Sequence, residues 1–182
     1  SQTRLPGPHN AENMMAALGI GHAMGLEIEA LAASISDYAP PAHRCEWVRD
    51  LDGVRWINDS KATNLDAMAQ ALRSAAGPVV LIAGGKDKGF EFDDIAELVQ
   101  NRARAAVLIG EMRHRIASSW KHTDCHCVDS LEEAVAAAQS LARAGDTVLF
   151  SPGTSSFDMF QNYGERGNLF KNFVNQLPNT TP

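Results

Sequence analysis

Cysteine is scarce, aromatic side chains are few and cations are outnumbered in this 182-residue chain. Three cysteines, an odd number, argue against a disulfide scaffold and for a reducing compartment. Lys and Arg total 16 against 22 Asp and Glu, a formal charge of −6 with a pI near 5.4. Broad binding to phosphate backbones, which rewards clustered cations, is therefore not expected. No apolar run approaches the ~20 residues that cross a bilayer. The opening Ser1-Gln2-Thr3-Arg4 lacks a hydrophobic signal core. No Gly-x-x-x-x-Gly-Lys-Ser/Thr stretch occurs, so the chain carries no P-loop of its own. What it does have is 45% hydrophobic residues, enough to bury a core. Together these features predict a soluble, acidic, cytoplasmic chain.

Two helices are predicted first, from His9 to about Met24 and from Glu27 to about Ser36, with Gly25 as the stop of the first. Met14, Met15, Ala17 and Leu18 form one apolar stripe; Ile28, Leu31, Ala32 and Ile35 form another. Two short helices cannot cover both stripes by themselves, so they are expected to belong to an upstream domain or to pack on the domain after them. Asp37-Tyr38-Ala39-Pro40-Pro41-Ala42 breaks the helical pattern and sets a domain boundary, dividing residues 1–41 from residues 42–182.

Beyond the boundary, Arg44–Arg49 and Val54–Asn58 read as strands joined through Asp52-Gly53, a hairpin turn signal. Val79–Ala83, Ala105–Ile109 and Thr147–Phe150 are continuous apolar runs, which suit strands covered on both faces of a parallel sheet. Between them lie helical periods: Leu65, Met68, Ala69 and Leu72; Ile95, Leu98 and Val99; and Val135, Ala138 and Leu141 behind a Ser130-to-Glu133 capping box. A last helix is predicted from about Tyr163 to Leu177. The fold class is α/β, a Rossmann-like, doubly wound, mainly parallel sheet with helices on both faces.

In such sheets ligands gather beyond the carboxyl ends of the strands. After Val54–Asn58 comes Asp59-Ser60-Lys61-Ala62-Thr63-Asn64; after Val79–Ala83 comes Gly84-Gly85-Lys86-Asp87-Lys88-Gly89; after Thr147–Phe150 comes Ser151-Pro152-Gly153-Thr154-Ser155-Ser156-Phe157-Asp158. Taken singly, each is readable as a capped helix start, a tight turn or a plain loop. All three fall at the same end of core strands, which favours an anion-binding edge. Helix N-termini at Thr63-Asn64 and beyond Ser156 would add backbone donors. The Gly110-Glu111 loop is far less informative.

Other motifs carry less. Gly19-Ile20-Gly21-His22-Ala23-Met24-Gly25 has the wrong glycine spacing for a dinucleotide fingerprint and lies in a predicted helix. His122, Cys125, His126 and Cys127, with His43 and Cys45, lack a second matched pair for zinc; a strand edge before Ser130 is the simpler reading, and no metal site is expected. Asn58-Asp59-Ser60 and Asn179-Thr180-Thr181 match a glycosylation acceptor that a cytosolic chain does not use.

The order and spacing of His9-Asn10, His43-Arg44, Asp59 to Asn64, the Gly-Gly-x-x-Lys loop and Ser151 to Gly167 resemble the Mur ligases, and among them the branch that adds D-glutamate. The resemblance covers nearly the whole chain. It implies that residues 1–41 are the helical end of a central ATPase domain and that residues 42–182 are the Rossmann-like C-terminal domain. It further implies an amide-forming ligase in peptidoglycan precursor synthesis, using ATP and Mg to add D-glutamate to UDP-N-acetylmuramoyl-L-alanine through an acyl phosphate, with this chain inactive alone. By the same resemblance Asn10, Arg44 and Asp59 contact the nucleotide. Lys61 faces the transferred phosphoryl group as the catalytic lysine. Thr63, Lys88, Ser156 and the backbone around Phe157 and Tyr163 hold the incoming amino acid. Phe157 and Tyr163 depart from the Leu and Phe of the family pattern, and Lys86 beside Lys88 leaves two candidate clamps. The absence of an Asp-Asn-Pro-Arg signature favours D-glutamate over bulkier residues. The alternatives are another Mur or folylpolyglutamate-type amide ligase, or a non-catalytic nucleotide- or anion-binding module of the same fold.

Overall fold

In a computed structural model, residues 8–38 and 41–179 are described. Ala39-Pro40, part of the predicted linker, lie outside them, as do the opening Ser1 to Arg4 and the end of the Asn179-Thr180-Thr181 motif. The chain divides into two compact units, Ser1–Ala42 and His43–Pro182.

The first unit is a helix pair, α1 (Pro8–Ala23) and α2 (Ile28–Asp37). The end of α1 is closed by bonds from Gly25 N to His22 O (2.9 Å) and from Leu26 N to Gly21 O (3.0 Å), the paired Schellman pattern. Leu31 of α2 packs onto Gly21, where a Cβ would lie 2.7 Å from its methyl. Met15, Ile20, Met24, Leu26 and Ile28 stay exposed, so the apolar stripes find little cover within this unit.

The second unit opens with the hairpin β1 (Glu46–Leu51) and β2 (Val54–Asn58), antiparallel as expected. Asp52 and Gly53 both have positive φ (52° and 77°), the turn that matches strand twist. Pairing starts two residues later than the sequence pattern suggests, because His43 and Cys45 also have positive φ (65° and 44°) and cannot join a ladder. Next come α3 (Leu65–Ser74), β3 (Val79–Gly84), a 3₁₀ turn (Phe92–Ile95), α4 (Ala96–Arg102) and β4 (Ala103–Ile109). Then follow α5 (Arg113–Ser119), β5 (Cys125–Cys127), α6 (Leu131–Leu141), β6 (Thr147–Phe150) and α7 (Tyr163–Gln176).

These strands form one six-stranded sheet in the order β1-β2-β6-β3-β4-β5, parallel except for β1. Side chains alternate across it. Leu81, Ala83, Leu108 and Leu149 join the core under α3, α4 and α5, with Met68, Leu72, Val99 and Ile116. Val80, Ile82, Val107, Val148 and Phe150 join the core under α6 and α7, with Val135, Phe170 and Val174. Burial on both faces accounts for the unbroken apolar runs. Cys125, His126 and Cys127 form the short edge strand rather than a metal cluster. Among the described residues no group of three or more His, Cys, Asp or Glu is placed to hold a metal ion.

The chain lays β3, β4 and β5 outward in sequence, then returns across the opposite face through α6 to insert β6 between β2 and β3. Strand order reverses at β6, and that reversal opens the crevice in which α/β sheets place ligands.

Candidate functional site

Because β2, β6 and β3 are neighbours, the segments that leave their carboxyl ends meet along one edge. Each junction is tied by backbone bonds. Asp59 N donates to Phe150 O (2.7 Å), Gly153 N to Ala62 O (2.9 Å), Gly84 N to Pro152 O (2.9 Å) and Lys86 N to Ser155 O (2.9 Å). Gly85 must be glycine at this junction: its φ is +147°, and a Cβ would lie 2.3 Å from Ser155 O.

Asp59 directly follows β2 and is 4% exposed. Its carboxylate accepts from Ser151 Oγ (2.8 Å) and from Cys45 N (3.1 Å). Burial pushes this carboxyl up to about 6, against the pull of those donors and the nearby charge of Arg44. Arg44 itself is exposed. Burial and the Asp59 charge push the Cys45 thiol up to about 12, so it is inert as a nucleophile.

Lys61 comes two residues on. Its Nζ lies 3.4 Å from the Tyr163 hydroxyl and 5.1 Å from the centre of that ring. Thr63 lies just before α3, whose N-cap Asn64 accepts from Ala67 N at 2.8 Å. Lys88, from the loop after β3, reaches across to donate to Thr63 O (3.2 Å) while lying 5.5 Å from the Phe90 ring. Lys86 uses its backbone to pair with Ser155. Ser156 is buried, and its carbonyl accepts from Met159 N and Phe160 N, which turns the chain. Phe157 is 67% exposed, and Tyr163 opens α7 behind the N-cap Asn162. The helix N-terminus expected beyond Ser156 is that of α7, which starts at Tyr163 as the sequence pattern has it, after a turn. Asn10 falls in α1, and its side chain lies outside the described residues.

Thus Lys61 meets Tyr163, Lys88 meets Thr63, and Asp59 meets the loop after β6. The supports beneath them carry no expectation from sequence. Arg166 of α7 is fully buried, and its guanidinium donates to Ser60 Oγ (3.0 Å), Ser60 O (2.8 Å) and Thr154 O (3.3 Å). One cation thus bolts the loop after β2 to the loop after β6. Burial pulls this arginine down to about 10, still protonated at neutral pH. Asn58 Nδ2 bonds His43 Nδ1 (2.9 Å) and Glu46 Oε2 (3.1 Å), and Asn58 Oδ1 accepts from Ser60 N (3.2 Å). Burial, with the charges of Lys171 and Lys61 nearby, lowers the His43 pKa against the opposing pull of Glu46. Its ring packs edge-on to Tyr163 and against Gly167, where a Cβ would lie 2.3 Å from Nδ1. An Arg-Gly pair inside a predicted amphipathic helix is the one sequence signal of this packing. The Gly110-Glu111 loop also contributes more than expected, since Glu111 N donates to Asp158 Oδ2 (2.9 Å) and steadies the turn after Ser156.

The edge therefore offers two ammonium groups, hydroxyls and a buried carboxylate over a short span. That donor set can grip an anionic ligand by charge-assisted hydrogen bonds and a hydroxylated one through Asp59.

Comparison with known proteins points in the same direction. The sequence profile described as "Mur ligase, glutamate ligase domain" matches residues 43–153. The chain is 45% identical over 172 residues to the UDP-N-acetylmuramoylalanine--D-glutamate ligase of Chlorobium phaeobacteroides, covering 94% of this chain and 37% of that protein. It is 46% identical over 175 residues to the enzyme of that name from Geotalea uraniireducens, covering 96% of this chain and 39% of that one. The chain thus spans well under half the length of these relatives. Among solved structures, the UDP-N-acetylmuramate-alanine ligase of Thermotoga maritima superposes with a TM-score of 0.69 at 16% identity, over 92% of this chain and 38% of that one. A folylpolyglutamate synthase of Mycobacterium tuberculosis complexed with ADP and AMPPCP gives 0.69 at 18% identity, over 92% and 41%. At such identities the likeness is one of fold.

Proposed function

Because this chain belongs to the Mur ligase glutamate ligase domain family, we propose that it is the amino-acid-receiving part of a longer ATP-dependent ligase that joins D-glutamate to UDP-N-acetylmuramoyl-L-alanine. The activity would serve peptidoglycan precursor synthesis in the cytoplasm. The helix pair would be the end of an ATPase domain completed by further sequence.

The chemistry divides by residue. The acceptor carboxylate is phosphorylated by ATP; the amine of D-glutamate attacks the acyl carbon, and phosphate leaves from the tetrahedral intermediate. Lys88, Thr63 and Ser156 would hold the carboxylates of the amino acid, together with the backbone around Phe157 and Tyr163. Positioning the amine against the acyl phosphate is the main service such a clamp renders. Lys61, poised on Tyr163, would offset charge on the phosphoryl oxygens. Asp59, Arg44 and Asn10 would hold the nucleotide, Asp59 by accepting from ribose hydroxyls. The described residues provide no cluster fit for Mg, whose ligands are assigned to the remainder of the ligase.

The observation that carries this reading is the bond from Lys88 Nζ to Thr63 O at 3.2 Å, which links two loops from strands separated by β6 and puts the cation at the start of α3. The test is phosphate release by the full-length protein with ATP, UDP-N-acetylmuramoyl-L-alanine and a panel of D- and L-amino acids. D-glutamate is expected to be the preferred amine. Preference for another amino acid, or for a folate acceptor, would overturn the assignment. Lys88→Ala is expected to raise the KM for D-glutamate about tenfold or more, the loss of one charge-assisted contact.

A further inference from the structure

We propose that Arg115, on α5 and outside the edge described above, is a positioning residue that latches residues 87–91 and thereby sets where Lys88 stands. This inference rests on the reading of Lys88 as the amino-acid clamp.

The loop has little framework of its own. Among the described residues, Lys86 N is the last backbone amide before the 3₁₀ turn that donates to another strand or loop. Within residues 87–91 one backbone amide donates a hydrogen bond, from Gly89 N to Asp87 Oδ1 at 2.8 Å. What spans the segment instead is a single guanidinium. Arg115 lies 3.6 Å from Asp87 Oδ2 and 3.2 Å from Glu91 Oε1, so it bridges both ends of the loop. It donates to Phe90 O at 3.2 Å between them and rests 5.8 Å from the Phe92 ring. Its own helix is anchored by Ile116, fully buried in the core. The Phe90 ring in turn faces the lysine, with Lys88 Nζ 5.5 Å from its centre. Through the Phe90 carbonyl, Arg115 thus fixes the residue whose ring faces the Lys88 ammonium.

Charge points the same way. Across residues 87–91, Asp87, Lys88 and Glu91 sum to −1. Arg115 engages both carboxylates and brings that sum to zero, so that the Lys88 charge toward an anionic substrate is no longer outweighed. Without it, Asp87 and Glu91 would flank Lys88 uncompensated and free to fold back on its ammonium. Lysine at this position would keep the charge but lose the fork that reaches three partners at once.

The pairs are solvent-exposed, with side chains 42% to 68% accessible, so the effect is modest. In the full-length ligase, Arg115→Met is expected to raise the KM for D-glutamate about three- to tenfold. The KM values for ATP and for the nucleotide-sugar acceptor, and kcat, should stay put. Arg115→Lys should recover part of the loss, and adding Asp87→Asn to Arg115→Met should recover part as well. If Arg115→Met leaves the D-glutamate KM unchanged while Lys88→Ala raises it, the latch is wrong and the clamp stands. If both substitutions are silent, the clamp reading falls and the latch with it. A uniform loss in kcat, every KM and melting temperature together would also overturn the proposal, since it would mark a general structural role.

Discussion

Asp59 is a carboxyl held where ionisation is unfavourable, and this has a measurable signature. Its folded value of about 6 lies above the 3.8 of an exposed aspartate, so between those values the folded state binds more protons than the unfolded one. Stability from this group is therefore fullest below pH ~4 and is lost as pH rises through 6. At neutral pH the ionised side chain costs about 3 kcal/mol on that difference. Asp59→Asn is expected to raise the melting temperature of the chain at pH 7, and the gain should shrink to about half by pH 5. Thermal melts of both proteins at the two pH values check this; a gain that grows on acidification would refute it. In the full-length ligase the same substitution should weaken ATP binding, because the retained charge is what a ribose would use. Arg166 shows the opposite economy of burial. Among the described residues it has no ion pair within 4.0 Å, and its charge is spread over backbone carbonyls and a hydroxyl of the two loops it joins.

Helix α7 is the element on which the edge rests. Its first residue, Tyr163, faces Lys61, Arg166 three residues on reaches under both loops, and Gly167 lets the His43 ring pack close against it. Gly167→Ala would set a methyl 2.3 Å from His43 Nδ1, forcing the ring away from Asn58. A loss of about 2–3 kcal/mol is expected from such overpacking, despite the better helix propensity of alanine. Urea unfolding is the direct measurement, and an unchanged midpoint would refute the packing argument. This layer also marks the limit of what the sequence discloses. Strands β2, β3, β4 and β6 and helices α3, α4 and α6 were legible, because apolar runs and helical periods report burial directly, whereas the seven-residue α5 carried no expectation from sequence. The loops bearing Asp59, Lys61, Lys88 and Ser156 were legible because they come directly after those strands. Arg166, Asn58 and the tilt of His43 were not. Their roles depend on pairings more than a hundred residues apart in the case of Arg166 and Ser60, and on backbone conformations that local pattern does not encode. The order of strands was equally hidden, since nothing in the Thr147–Phe150 run says which neighbours it takes.

At the scale of the molecule, the sheet and the loops at its carboxyl edge lie within His43–Pro182, whereas the helix pair exposes Met15, Ile20 and Met24. The isolated chain is expected to fold cooperatively through the second unit yet release no phosphate from ATP in the presence of acceptor and D-glutamate, since its sequence holds no P-loop. A malachite-type phosphate assay beside a melting curve separates the two statements, and steady phosphate release by the isolated chain would refute the second. Strand β6 gives the topology a temporal side. The sheet's inner strand between β2 and β3 is the last one among the described residues, and the loops of the edge border on it. A nascent polypeptide halted before Thr147 would hold two half-sheets with a slot between them rather than a domain with a trimmed rim. The loops of this edge thus come together late in synthesis, once β6 has entered the slot and α7 has followed to bolt them.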